Sequence, residues 1–121
     1  MNWFRSLADL DNTYSEGETT LFIELQNRHR TTYMSSHKGI TLNYEVDGVH
    51  GCEPDFLWDN YAVFLDGTPH KTSYREKKDA LIKTALEKKG FIVDRFDYRG
   101  KLSKKKANEI ADAIEKRLEK L

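Results

Sequence analysis

The stretch PDFLWDNYAVFLDGTPH, residues 54–70, decides how the rest of the chain reads. Two short apolar runs, DFLW and YAVFL, flank the polar pair Asp59–Asn60, a pattern that predicts two strands joined by a tight turn. Asp55 opens the first strand and Asp66 closes the second. With the turn at 59–60, residue 55 falls opposite residue 64 or 65, so both carboxylates belong at one end of the sheet. Two carboxylates that close repel each other, and a divalent cation between or beside them relieves the repulsion. Hard oxygen donors suit Mg²⁺, which binds through one or two carboxylates and keeps positions for water and substrate phosphate. Gly67 lets the backbone leave the strand close to a ligand, and His70 follows one loop-width away. An imidazole that titrates near neutrality can deprotonate water or protonate a leaving oxygen, which is the proton chemistry of phosphodiester hydrolysis. Turn-flanking aspartates and an exposed loop histidine would leave the same letters, so the surrounding elements have to separate the two readings.

Upstream, SEGETTLFIELQNRHR reads as a helix. Ser15 and Glu18 form a capping box, and Leu21, Phe22 and Leu25 share one face. Residues 1–14 are a mixed, polar lead-in or short helix. SSHKG is a loop, GITLNYEV a strand by its rough alternation, and DGVHGCEP a turn-rich link. Downstream, DGTPHKTS is a loop leading into a helix from about Tyr74 to Lys89, with Leu81, Ile82, Ala85 and Leu86 on its apolar face. Gly90 ends that helix in a left-handed conformation. FIVDRFDY is a strand. Ser103 caps a last helix whose stripe is Ala107, Ile110, Ala111, Ile114, Leu118 and Leu121. The order α-β-β-β-α-β-α predicts an α/β fold, a mixed sheet flanked by helices.

The length of 121 residues fits one domain, residues 1–121. Apolar residues make up 38% and charged residues 33%, enough for one core under a heavily charged surface. No apolar run is long enough to cross a membrane, and no basic start precedes an apolar stretch, so the expected compartment is the cytoplasm. The lone Cys52 excludes both an intrachain disulfide and a zinc cage built from several cysteines, and no structural zinc is expected. His29, His37, His50 and Cys52 read as loop or surface residues, and Trp3, Trp58 and the apolar tyrosines as core and edge packing rather than base-stacking platforms. The formal net charge of zero hides a division: residues 1–70 hold 4 Lys/Arg against 11 Asp/Glu, and residues 71–121 hold 16 against 9. Such a split fits an acidic site beside a face for a polyanion, and equally fits solvated lysine-rich helices.

Taken together, these pieces resemble the very-short-patch-repair-like (Vsr-like) branch of the PD-(D/E)XK endonucleases, which includes repair nicking enzymes and homing endonuclease catalytic domains. That family pattern is a Glu on an N-terminal helix, then PD opening a strand, then an apolar strand ending in (D/H)G. A loop histidine follows, then an aspartate early in a helix ending L-x-x-x-G, and then a V-x-R-F strand. The chain supplies SEGETTLF with Glu18, PDF with Asp55, VFLDG with Asp66, then His70, REKKDALIKTALEKKG with Asp79, and FIVDRF with Arg95, in that order. It lacks the lysine that the broader superfamily carries on the second strand, as that branch does. It also lacks the cysteines of the repair enzymes' zinc site and an identifiable aromatic wedge, which puts mismatch repair itself in doubt.

The resemblance implies a restriction-endonuclease-like fold and a Mg²⁺-dependent DNA endonuclease, with Mn²⁺ substituting, in a repair, homing or restriction-like role. It implies Asp55 and Asp66 as metal ligands, joined by the Leu65 carbonyl, and His70 as general base or acid. Asp79 would orient His70, and Glu18, with Glu16 as its alternate, would hold a metal-bound water. Arg95 would touch the scissile phosphate or pair with a carboxylate. Glu18 as only a capping residue, Asp79 as a first-turn residue favoured by the helix dipole and Arg95 as a structural ion-pair residue stay open alternatives. Lys71 and the run at Lys104, Lys105 and Lys106 are candidate phosphate contacts. The C-terminal stripe is core or a homodimer surface. The alternative function is a nucleic-acid-binding accessory protein on the same fold with weak or no catalysis.

Overall fold

The computed structural model describes residues 15–35, 39–67 and 72–121; the lead-in, His37, His70 and Lys71 lie outside the described residues. The element order is α1 (Glu16–Asn27), β1 (Ile40–Thr41), α2 (Tyr44–Asp47), β2 (Gly51–Cys52), β3 (Phe56–Trp58), β4 (Tyr61–Asp66), α3 (Ser73–Lys88), β5 (Ile92–Asp97) and α4 (Lys104–Glu119). The fold is mixed α/β, with a three-stranded sheet ordered β3-β4-β5 and a separate two-stranded sheet of β1 and β2.

The opening stretch folds as its alternation predicts. β3 and β4 pair antiparallel with Phe56 opposite Val63 and Trp58 opposite Tyr61, and Asp59 takes the turn at φ 50°. The Asp55 N–H donates to the Val63 carbonyl at 3.0 Å, which puts Asp55 at the end of β3 beside the close of β4. β4 and β5 are parallel, Asp66 opposite Asp97, so a crossover is required and α3 supplies it. Because β4 is central and covered on both faces, Tyr61, Ala62, Val63 and Phe64 are all buried.

Alternation divides the side chains between two cores. Phe56, Trp58, Tyr61 and Val63 pack with Leu21, Phe22 and Leu25 of α1 and with Ala107, Ile110, Ala111 and Ile114 of α4. Ala62, Phe64 and Val93 pack with Ile82, Ala85 and Leu86 of α3 and with Leu42 and Val49. The stripe on α4 that allowed a dimer surface is therefore covered, through Ile114, by the chain's own core, and Leu121 alone of its members is exposed.

Each long helix starts at a side-chain cap: Ser15 and Ser103, read from the sequence, accept from the N–H groups of Glu18 and Lys106, and Thr72, ahead of the expected start at Tyr74, from that of Arg75. Gly90 follows α3 at φ 93°, the left-handed position expected of it. The strand expected over GITLNYEV is a correction. Only Ile40–Thr41 pairs, with Gly51–Cys52 and outside the main sheet, and Tyr44–Asp47 is one helical turn. Asn43 caps that turn by accepting from Glu45 N–H at 3.0 Å, and Gly48 closes it at φ 76°. Side-chain capping by Asn outweighs the strand preference of Tyr44 and Val46 because nothing covers those two side chains. Among the described residues, no helix is long and apolar enough to cross a membrane.

Candidate functional site

A cleft of about 960 Å³ opens at the C-terminal end of β4 and β5. Strand alternation explains its contents. Asp55 shares a face with Leu57, Asp66 with Ala62 and Phe64, and Arg95 with Val93, so all three turn to the α3 side. α3 adds Asp79, and α1 brings Glu18 to the same cleft. Glu18, Asp55, Leu65, Asp66, Asp79 and Arg95, read from the sequence as site residues, thus line one cavity. Glu16 does not line it and instead meets Lys101 at 3.0 Å on the surface, which makes Glu18 the α1 carboxylate of the site.

The internal geometry refines several roles. Asp66 is 6% exposed, the one buried charged side chain among the described residues. Asp55 Oδ2 accepts from the Leu65 N–H at 2.6 Å, so at Leu65 the engaged group is the N–H. Asp79 stands in the second turn of α3, past the reach of the helix dipole, and its Oδ1 lies 3.5 Å from Arg95 Nη2. The guanidinium of Arg95 also sits 4.8 Å from the centre of the Phe64 ring, a cation–π contact that holds it over the sheet. The Asp79 carboxylate is thus shown with Arg95; its expected partner His70 lies outside the described residues, as does Lys71.

Three features escaped the sequence. Tyr98 extends β5 by donating its N–H to the Asp66 carbonyl at 3.0 Å. Its hydroxyl lies where a Cβ on Gly17 would be, and its ring where a Cβ on Gly67 would be. Gly67 thus lines the cleft, as its expected place near a ligand requires, and is also small enough to admit the Tyr98 ring. Burial, and then the charges of Glu18, Asp55, Asp66 and Glu16, raise the Tyr98 pKa, so its phenol stays a hydrogen-bond donor. Glu53, two residues before Asp55, brings a further carboxylate to the cleft, and Arg75 and Lys78 of α3 bring cations. The spacing Glu-Pro-Asp was a usable signal for Glu53; nothing local marks Tyr98, whose neighbours are set by tertiary packing. Cys52, read as a loop or surface residue, is half-buried in β2 and lines the cleft. Burial pushes its thiol pKa up against the opposing charge of Arg95, so it is not an activated thiolate.

Lys104, Lys105 and Lys106 are exposed in the first turn of α4. They do not line the cleft, and α4 packs on the sheet face opposite α3. The Lys101–Glu16 pair ties that run to the start of α1.

Among the described residues, no group of three or more His, Cys, Asp or Glu side chains is gathered closely enough to hold a metal ion. Asp55 and the buried Asp66 on one sheet face remain a hard-oxygen pair of the kind Mg²⁺ accepts when water and substrate complete its shell. No family model, curated protein or solved structure matches the chain.

Proposed function

We propose that the protein is a Mg²⁺-dependent DNA endonuclease of the PD-(D/E)XK type, close to the very-short-patch-repair branch. The observation that carries the reading is the cleft, in which Glu18, Asp55, Asp66, Asp79 and Arg95 converge from α1, β3, β4, α3 and β5. Residues far apart in the chain meet at one open cavity, and gathering carboxylates there costs Coulomb energy. Asp55 and Asp66 would hold the ion, which when bound supplies charge stabilisation to the phosphoryl oxygens. Arg95, Arg75 and Lys78 hold the scissile phosphate against the acidic floor, with Arg95 kept in place by Asp79 and the Phe64 ring. Tyr98 stays protonated and offers its hydroxyl to the carboxylates around it. His70, in the loop after β4, takes the proton of the attacking water. Lys71 and Lys104 to Lys106 add sequence-independent phosphate contacts.

The test is incubation of the purified protein with supercoiled, linear, mismatched and branched DNA in Mg²⁺, Mn²⁺ or EDTA. Nicking or cutting is expected with either cation and none with EDTA. Asp55→Ala and Asp66→Asn should abolish it, and His70→Ala should slow it roughly 10²-fold while DNA affinity holds. Cleavage by Asp55→Ala at the wild-type rate would end this reading. The second reading, a DNA-binding protein without catalysis, is favoured by one observation, the lack of a three-ligand metal group among the described residues. Metal-independent DNA binding with no cutting of any substrate would select it.

A further inference from the structure

Beside the acidic cleft lies a second pocket, of about 300 Å³, at the lower end of the roughly 300–1,000 Å³ that small-ligand sites occupy. Its walls are Tyr44 and His50 from the α2 excursion and Tyr74 and Leu81 from α3. Tyr44 and His50 are stacked, ring centres 4.5 Å apart and planes 18° from parallel. Tyr44 is 56% and Tyr74 75% exposed, so neither ring is there to fill a core. Gly51, Tyr74 and Lys78 line this pocket and the cleft alike, so the two adjoin. The pocket's described lining has no carboxylate and includes Lys77 and Lys78, whereas the cleft next to it holds five acidic side chains.

We propose that this pocket takes an unstacked base of the nucleic-acid strand whose phosphate lies in the cleft. The inference rests on the nucleic-acid reading above and narrows its substrate to strands with a single-stranded, frayed or extruded nucleotide next to the reacting position. Aromatic rings, two lysines and an apolar side chain line one pocket, which is the combination that stacks bases and tracks a backbone without reading sequence. A base inside an intact duplex hides both faces against its neighbours, so the pocket is closed to it until the strand opens. The one-turn helix capped by Asn43 and closed by Gly48 gives the Tyr44–His50 pair a fixed seat.

The test is fluorescence anisotropy in EDTA, which separates binding from cutting, with three probes: a short oligothymidylate, an abasic oligonucleotide of equal length and a hairpin duplex. The wild-type protein should prefer oligothymidylate to the abasic strand. Tyr44→Ala and Tyr74→Ala should each weaken oligothymidylate binding about 10-fold, within the range of single base–aromatic stacks. Tyr44→Ala should leave the duplex and abasic strand unaffected, and Tyr74→Phe should bind oligothymidylate like the wild type because the ring is kept. Equal wild-type affinity for oligothymidylate and the abasic strand would overturn the inference, as would alanine variants that bind oligothymidylate like wild type. A protein that cuts duplex DNA yet fails these comparisons loses this inference and keeps the endonuclease reading. One that passes them and never cuts keeps this inference and loses catalysis.

Discussion

Asp94 and Arg95 are neighbours in β5, yet they live in different chemistry because alternation sends them to opposite faces of the sheet. On the α1/α4 face, Asp94 accepts from the Tyr61 hydroxyl at 2.7 Å and from both Nε and Nη2 of Arg117 at 3.1 Å. Farther along that layer, Arg28 donates to Glu24, Asp112 and Glu115 at 2.9, 2.6 and 2.8 Å, and Arg30 reaches Glu115 at 3.1 Å. Each of these carboxylates meets an arginine directly, and the contacts of Arg28 and Arg30 clamp α1 to α4. On the α3 face, Arg95 meets Asp79 across a cleft in which five carboxylates face three cations. One face therefore ties helix to helix through arginine–carboxylate contacts, and the other gathers its charged side chains around an open cleft.

Core truncation should separate the faces most. Phe56 is fully buried on the closed face, and Phe64 borders the cleft. Phe56→Ala should cost about 3–5 kcal/mol in urea unfolding, since no water reaches the cavity it leaves. Phe64→Ala should cost about half as much, because the cleft lets water and neighbouring side chains relax into the space. Equal losses would mean that the α3 face is as closed as the other.

A middle-sized effect sharpens where the faces join. The Tyr98 hydroxyl lies against Gly17 of α1. Gly17→Ala should therefore destabilise by about 1–3 kcal/mol through overpacking. In a Tyr98→Ala background the same change should stabilise by up to about 1 kcal/mol, the ordinary gain of Ala over Gly in a helix. A double-mutant cycle in urea reads the reversal of sign; additive effects would remove Tyr98 as the link between α1 and the strand ends.

The hairpin, the Ser15 and Ser103 caps and the α4 stripe were legible because each depends on local spacing. So was the placing of Asp55 and Asp66 at one end of the sheet, which follows from strand rise and turn position, whereas Arg95 came only with the family resemblance. The β1–α2–β2 excursion was not, since 40, 42, 44 and 46 keep the alternation of a strand while Asn43 and Gly48 bend the backbone out of it. Tyr98 escaped for a different reason. Its significance lies in two glycines, Gly17 and Gly67, that are distant in sequence and small for its sake. Arg28 and Arg30 likewise look like a basic helix end until α4 brings acids to them.

The smallest expected difference compares one carboxylate from each face. Burial alone would raise the Asp94 pKa, but the hydrogen bonds from Arg117 and Tyr61 outweigh it and hold the group below the usual aspartate value. Burial likewise works against Glu115, and Arg28 and Arg30 hold its pKa down. A carboxylate lowered in the folded state contributes stability that is complete above its unfolded pKa, near 4, and is lost as pH falls through the lower folded value. Stability should therefore hold at neutral pH and decline below about pH 4. Asp94→Asn should lose about 1 kcal/mol at pH 7, the scale of a partly exposed charged hydrogen bond, and should make the acid decline shallower. Asp66→Asn removes one negative charge from among the cleft's five carboxylates, so at pH 7 it should cost nothing or stabilise slightly. Urea midpoints for both variants from pH 3 to pH 7 measure the contrast. An Asp66→Asn protein as unstable as Asp94→Asn would make the cleft carboxylates part of the scaffold, and the two faces would no longer differ in kind.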